Sequence, residues 1–222
     1  MRRAKYICFE GTDGVGKTTQ LKLLAEYLRG LGFKVMETKA FGAQQSEVSQ
    51  EIRKIMLDAK WDMPDIAREY LAQAMTAICL QDVVYPVRYD YDFILQDRGV
   101  LSNLSYSQAN RISSTIGEQL ARYSNEGRVH DLYDCIIYLR GDVATALNKA
   151  RGAKQEFESG DVIESRGKFF MAAVDENMQN EARKFWNVNE IQIDNKSIEQ
   201  VAEDIKETII DKFSLRSLTE SR

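Results

Sequence analysis

Short apolar runs alternate with longer segments of helical spacing along the chain. Continuous apolar runs are typical of strands buried on both faces; such runs lie at Phe93–Gln96 and Cys135–Leu139. Three further short segments predict strands at Lys5–Glu10, Phe33–Thr38 and Glu190–Asp194. Apolar residues three and four positions apart predict helices between and after them; these helices cover Lys17–Leu31, Ser46–Leu57, Pro64 to about Pro86, Ser102–Ser124, a segment opened by Asp161, and Ser197–Phe213. The alternation predicts an α/β fold with a five-stranded parallel sheet covered by helices on both faces, a three-layer α/β/α arrangement.

Polar segments divide the rest of the chain. Residues 151–160 are polar and bounded by glycine, which predicts a mobile loop. A length of 222 residues suits one domain, which we place at residues 1–213, with a polar and flexible tail at 214–222.

Composition narrows the classes of function. The 30 basic and 34 acidic residues give a net charge of −4, which argues against a nucleic-acid partner. No apolar run approaches the roughly 18 residues of a membrane span, so we expect no membrane partner. The three cysteines are far apart and set among apolar residues, which predicts buried thiols and a cytoplasmic protein. A single histidine, His130, argues against a His-rich zinc site or a Ser-His-Asp triad.

The segment Gly11–Thr18 reads G-T-D-G-V-G-K-T and matches the phosphate-binding loop pattern G-x-x-x-x-G-K-[ST]. It lies between a predicted strand and a predicted helix, as that loop requires. Its glycines let backbone amides surround phosphate oxygens, its lysine reaches the β- and γ-phosphates, and its last hydroxyl can bind Mg²⁺. We therefore expect a nucleoside triphosphate to be bound by Gly11, Asp13, Gly14, Val15, Gly16, Lys17, Thr18 and Thr19.

Two segments resemble the thymidylate kinase family. Phe9–Gln20 is similar to the opening of these enzymes, and Asp97–Tyr106 is similar to their segment D-R-[YH]-x-x-S-x-x-[AS]-[YF]. The order of predicted elements also resembles the family out to the last helix. The resemblance implies an ATP- and Mg²⁺-dependent kinase that phosphorylates a deoxynucleoside monophosphate, dTMP first, to give dTDP. It also implies a homodimer.

The same resemblance assigns roles by position. Asp13, Lys17, Arg98 and a lid arginine, Arg151, are expected to be catalytic, while Thr18 and Asp97 are expected to hold Mg²⁺. The expected acceptor-nucleotide residues are Asp13, Phe41, Arg53, Gln73, Arg98, Ser102, Asn103 and Tyr106. Because the phosphate-binding loop carries no arginine, the chain fits the family pattern in which lid arginines act, with Lys154 and Arg166 as further candidates after Arg151.

Some positions depart from the family pattern. Gly99 stands where the family has Tyr or His, and no proline follows the second strand. In the family, a Phe and an Arg of the long helix bind the base. Here the Phe position falls on Gln73 or Ala72, and the Arg position falls on Ala77 or Thr76. Three alternatives therefore remain: a monophosphate kinase with other or broader base preference, such as dUMP or dGMP; a deoxynucleoside kinase; and a nucleotide-dependent switch.

Overall fold

The structure is a computed structural model that describes residues 2–113, 118–119, 121–122, 127, 130–142 and 161–215. The predicted lid at 151–160, with Arg151 and Lys154, lies outside the described residues, as does the tail from 216 onwards.

Five parallel strands form one sheet, as the alternation of elements predicts. They are β1 (Lys5–Glu10), β2 (Val35–Lys39), β3 (Phe93–Asp97), β4 (Cys135–Arg140) and β5 (Val188–Gln192). Their order is β2-β3-β1-β4-β5, so β3 and β4 flank the first strand. Ligands of open α/β sheets bind beyond the carboxyl ends of the strands where the order reverses. Here that point follows β1, where the phosphate-binding loop begins.

Helices cover both faces of the sheet. They are α1 (Lys17–Gly30), α2 (Glu47–Leu57), α3 (Asp65–Ile78), α4 (Tyr85–Val87), α5 (Val100–Ala109), α6 (Val162–Ser165), α7 (Gly167–Ala182) and α8 (Ile198–Phe213). One core cluster joins the sheet to α1 and α8, and a second joins it to α5 and α7. Because both faces are covered, most side chains of the middle strands are buried and apolar, which is why β3 and β4 read as apolar runs.

A π-helical segment, Cys79–Val84, joins α3 to the short α4. The sequence predicts one long helix from Pro64 to about Pro86, and the chain does stay helical over that span. Between Cys79 and Val84, however, the backbone hydrogen bonds follow the i→i+5 pattern of a π-helix, which is often found near functional sites.

The predicted helix over Ser102–Ser124 is wrong in its length. Helix α5 ends at Ala109, because Arg111 adopts a left-handed φ of 59° and two backbone bonds close the end. The Arg111 amide donates to the Gln108 carbonyl at 2.9 Å and the Ile112 amide donates to Ser107 at 3.0 Å. This is the Schellman termination, usually made by glycine, and apolar spacing carries no signal of it.

The apolar face predicted for α2 forms but is not buried in the domain. Val48 is 62% exposed and Ile55 is 43% exposed, whereas the buried residues of this helix are Ser49 and Leu57.

All three cysteines are buried free thiols, as predicted: Cys8, Cys79 and Cys135. Among the described helices, none has the length and apolar character needed to cross a bilayer.

Candidate active site

The phosphate-binding loop connects β1 to α1, and its backbone needs glycine at both ends. A Cβ on Gly11 would lie 2.6 Å from the carbonyl oxygen of Leu139 on β4. Gly16 has a φ of 90° and precedes the first residue of α1. The loop therefore directs backbone amides and the N-terminus of α1 to one place, which is a site for anionic oxygens.

Lys17 folds back over this loop. Its ammonium donates to the Thr12 carbonyl at 2.7 Å, and only 6% of the residue is exposed. Burial, reinforced by the positive charge of Arg98, lowers the pKa of Lys17 to about 8. A cation held this way has lost much of its hydration, so phosphate oxygens are strong partners for it.

Thr18 and Asp97 meet where β1 and β3 end side by side. The Thr18 hydroxyl donates to Asp97 Oδ2 at 2.6 Å, while Asp97 Oδ1 is buried without a hydrogen-bond partner. A carboxylate oxygen and a hydroxyl oxygen are ligands that Mg²⁺ prefers. The unpartnered oxygen fits a site for that ion.

Arg98 is the central cation of the site. Its guanidinium makes a close ion pair with the Asp13 carboxylate, donates to Ser102 Oγ at 3.0 Å and lies over the Tyr106 ring, 5.4 Å from its centroid. The Tyr106 hydroxyl in turn donates to Asp13 Oδ2 at 3.2 Å. These contacts bring the phosphate-binding loop and α5 together around one positive charge.

The charges of this cluster are strongly coupled. Burial alone would raise the pKa of Asp13, but the positive charges of Arg98 and Lys17 outweigh it and lower that pKa to about 2. Burial would lower the pKa of Arg98, but Asp13 and its neighbours raise it instead. Asp13 is therefore a carboxylate and Arg98 a cation at every physiological pH.

Glu10 stabilises the start of α5 next to the Arg98 cluster, a role that motif matching does not assign. It is fully buried, and its carboxylate accepts from the backbone amides of Leu101 and Ser102 at 2.9 and 3.2 Å and from the Ser102 hydroxyl at 2.6 Å. Burial raises the pKa of Glu10. The only signal for it in the sequence is a glutamate at the end of an apolar strand.

A second polar cluster lies between α3 and α5. The Asn103 amide donates to the Thr76 hydroxyl at 3.2 Å, and the Gln73 amide donates to Glu69 at 2.7 Å. Asn103 is 3% exposed, and its Oδ1 is buried without a hydrogen-bond partner. The structure thus joins two predicted acceptor residues, Gln73 and Asn103, to a glutamate and a threonine that sequence reasoning missed.

The remaining predicted residues lie apart from these clusters or outside the description. Phe41 is half-buried in the turn after β2, and in the same turn Gly42 packs against the side chain of Arg53. Arg166, a candidate lid cation, forms an ion pair with Asp65 at the start of α3 and contacts Asn110.

Comparison with known families identifies the protein class. The thymidylate kinase profile matches residues 9–205. The chain belongs to the thymidylate kinase family. A thymidylate kinase of Leifsonia xyli is 34% identical over 159 residues, which cover 71% of this chain and 73% of that enzyme. A probable thymidylate kinase of Methanococcus aeolicus is 26% identical over 94% of this chain and 97% of its own.

Solved structures of the family share the fold. The thymidylate kinase of Candida albicans matches with a TM-score of 0.72 at 21% identity, covering 96% of this chain and 93% of that one. The enzyme of Ehrlichia chaffeensis matches with a TM-score of 0.71 at 21% identity, covering 94% and 99%. The five-stranded α/β architecture is therefore that of the thymidylate kinases.

Family membership makes the chain a phosphotransferase with nucleotide substrates and ATP as the phosphoryl donor. It supports phosphorylation of dTMP and does not favour a deoxynucleoside kinase or a nucleotide-dependent switch.

Proposed function

We propose that the enzyme transfers the γ-phosphoryl group of ATP to the 5′-phosphate of dTMP, giving ADP and dTDP, in the cleft between the phosphate-binding loop and α5. The observation that carries this proposal is the position of Arg98, a charged guanidinium between Asp13 of the loop and Ser102 and Tyr106 of α5. A cation there can contact the transferred and the accepting phosphate groups at once. Cancelling the repulsion between two polyanions and aligning them is most of what such a reaction needs.

The donor half of the site is the loop from Gly11 to Thr18. Its amides and the N-terminus of α1 bind the β- and γ-phosphates, and Lys17 exchanges the Thr12 carbonyl for phosphate oxygens. Thr18 and Asp97 would hold Mg²⁺ through the hydroxyl and the unpartnered carboxylate oxygen. When bound, the ion neutralises charge on the β- and γ-oxygens.

The acceptor half is α5 with the turn after β2. The accepting phosphate oxygen is already an anionic nucleophile, so attack in line needs no side chain to remove a proton. Arg53 and Arg98 hold this phosphate, and Asp13 keeps the Arg98 guanidinium oriented. Phe41 and the Tyr106 ring bound the space for the nucleoside, where a ring beside the sugar crowds out a 2′-hydroxyl.

Asn103 is proposed to read the base. Thr76 donates its hydroxyl hydrogen to the Ala72 carbonyl at 3.1 Å, so its oxygen must accept from Asn103. This orientation leaves Asn103 Oδ1 as an acceptor. The N3–H group of thymine is a matching donor, whereas cytosine presents an acceptor at that position.

The lid predicted at 151–160 is the remaining part of the proposed site. Arg151 is the proposed lid cation that covers the γ-phosphate and helps to exclude water.

We also propose a homodimer through an apolar α2–α3 face, whose exposed residues are Val48, Ile55, Trp61, Ile66 and Tyr70. These side chains would leave water when two copies meet.

A coupled assay of ADP formation tests the reaction. With ATP and Mg²⁺ held constant, dTMP should give the highest kcat/KM, dUMP less because it lacks the methyl group, and dCMP and thymidine little. Equal rates with dTMP, dCMP and dGMP would show that the base is not read as proposed. No acceptor-dependent ADP with any deoxynucleoside monophosphate would overturn the proposed function.

A further inference from the structure

Gln96 is a polar residue in the apolar strand β3, and neither the phosphate-binding loop nor the acceptor site uses it. It is 1% exposed, and its strand neighbours Ile94 and Leu95 are 1% and 0% exposed. A buried amide is costly unless its hydrogen bonds are made. Gln96 lies one residue before Asp97 and two before Arg98, so a role in positioning these residues would explain a buried amide in this strand.

Both ends of the Gln96 amide have hydrogen-bond partners. Its Nε2 donates to the Arg98 carbonyl at 2.8 Å and to the Tyr133 hydroxyl at 2.8 Å. Its Oε1 accepts a close hydrogen bond from the Tyr6 hydroxyl and a longer one, 3.4 Å, from the Cys79 thiol. Since Tyr6 and Cys79 offer donors at one end, the amide must present its NH₂ group to Arg98.

The contact to Arg98 falls on a backbone that is strained. Arg98 has a φ of 64°, a left-handed conformation that is uncommon for a residue with a Cβ. Its amide donates to the Phe9 carbonyl at 2.8 Å on β1, and its carbonyl accepts from Gln96. The residue is therefore fixed on both sides of its Cα, and that fixes the direction in which its side chain leaves the chain.

We propose that Gln96 is a positioning residue for Arg98: its buried amide holds the left-handed turn that aims the guanidinium at Asp13 and Ser102. The proposal rests on the proposed function, in which Arg98 contacts the transferred and accepting phosphates. Gln96 itself touches neither substrate. Its substitution should therefore affect the reaction through Arg98 and leave the phosphate-binding loop unchanged.

Gln96→Met tests this, because methionine has a similar length but cannot donate to the Arg98 carbonyl. We expect kcat to fall at least about 10-fold, as for misplacement of a catalytic group, and KM for dTMP to rise. KM for ATP should stay within about 2-fold, since Lys17 and the loop amides bind the donor. Calorimetry of dTMP binding without ATP should show the same weakening as KM.

The matched control is Gln20→Met. Gln20 is also a buried glutamine, 4% exposed, whose amide donates to a backbone carbonyl, that of Ile198 at 2.9 Å. Its loss should lower the melting temperature as Gln96→Met does, with kcat within about 2-fold of wild type. This control separates a general loss of stability from an effect on Arg98.

A second variant, Gln96→Glu, keeps the acceptor for Tyr6 and removes the NH₂ donor, and it should show the same kinetic split. The proposal is overturned if Gln96→Met keeps its kcat, if kcat and both KM values change together, or if the Gln20→Met control loses as much kcat as Gln96→Met. It is also overturned if neither variant folds while Gln20→Met does, because Gln96 would then serve the core alone. A wild-type enzyme without activity on dTMP would instead overturn the proposed function.

Discussion

Single residues of the site act through the charge and the space they impose on their neighbours. Lys17 and Arg98 share one buried cluster, and the positive charge of Arg98 makes the charge of Lys17 harder to hold. The Tyr133 hydroxyl occupies the space in which a Cβ of residue 99 would lie, so Gly99 and Tyr133 constrain each other. Both couplings lead to measurable effects.

The lowered pKa of Lys17, about 8, predicts a basic limit on ATP capture. As pH rises through this value the ammonium loses its proton and its attraction for phosphate. Because kcat/KM reports the free enzyme, kcat/KM for ATP should fall about tenfold per pH unit above the pKa. At saturating ATP, bound phosphates keep Lys17 charged, so kcat/KM for dTMP should not fall there. A flat ATP profile between pH 7 and 9.5 would contradict this.

Gly99→Ala should destabilise the fold by about 1–3 kcal/mol, because the new methyl group overlaps Tyr133 and Cys8. The φ of Gly99 is −172°, outside the left-handed region, so the expected loss rests on the overlap with Tyr133 and Cys8. Tyr133→Phe removes the nearest atom, and the double variant should be more stable than the sum of the single effects. Urea unfolding measures each variant.

The control for this substitution is Gly30→Ala at the end of α1, where nothing lies within 4 Å of the added Cβ. It should be neutral or slightly stabilising. An equal loss of stability at both glycines would contradict the overlap argument.

At the scale of elements, α5 begins without a side-chain cap of its own, since its N-cap residue is Gly99. Glu10 of β1 takes that role by accepting from the Leu101 and Ser102 amides. A residue of strand β1 thus caps a helix that starts 90 residues later in the chain. The capped turn includes Ser102, whose hydroxyl accepts from Arg98.

Glu10→Ala should lower the free energy of unfolding by about 2–3 kcal/mol, from loss of the cap and of a buried acceptor. Glu10→Gln keeps one oxygen for the two amides and should cost about 1 kcal/mol. Chemical denaturation compares the two variants. A similar loss in both would show that the negative charge of Glu10, rather than its oxygens, stabilises α5.

Much of this architecture follows from the sequence. Apolar runs predict β3 and β4 because a doubly covered sheet needs them, and the glycines of the phosphate-binding loop mark where its backbone must turn. The strand predicted at Glu190–Asp194 forms two residues earlier, as β5, because this edge strand is only partly buried and its apolar pattern is weak. The end of α5 at Ala109 could not be predicted, because the left-handed residue that follows it, Arg111, is not a glycine and carries no sequence signal. Glu69, Thr76 and Gln96 were missed for another reason: their roles depend on which helix or strand lies opposite.

At the scale of the whole molecule, the α2–α3 face groups five of the large apolar side chains that the described part of the chain leaves exposed. Ile66 is 38% exposed and Tyr70 is 55% exposed, one helical turn apart on α3. If two copies pair through this face, these side chains stabilise the pair by leaving water.

The double variant Ile66→Asp/Tyr70→Glu should therefore convert a dimer into a monomer, because two desolvated charges oppose association. Light scattering during size-exclusion chromatography measures the mass. Tyr89→Glu is the matched control, since Tyr89 is 49% exposed on another surface. A wild-type monomer, or a dimer that survives the double variant, would contradict the proposed assembly.

The π-helical segment at Cys79–Val84 has a consequence for comparing this enzyme with its relatives. A wider turn rotates everything before it relative to everything after it. Helical faces projected backwards from β3 with a regular α-helical repeat therefore carry an angular offset into α3. The faces of α3 should be assigned forwards from Pro64, because the helix keeps the regular α-helical repeat from Asp65 to Ile78.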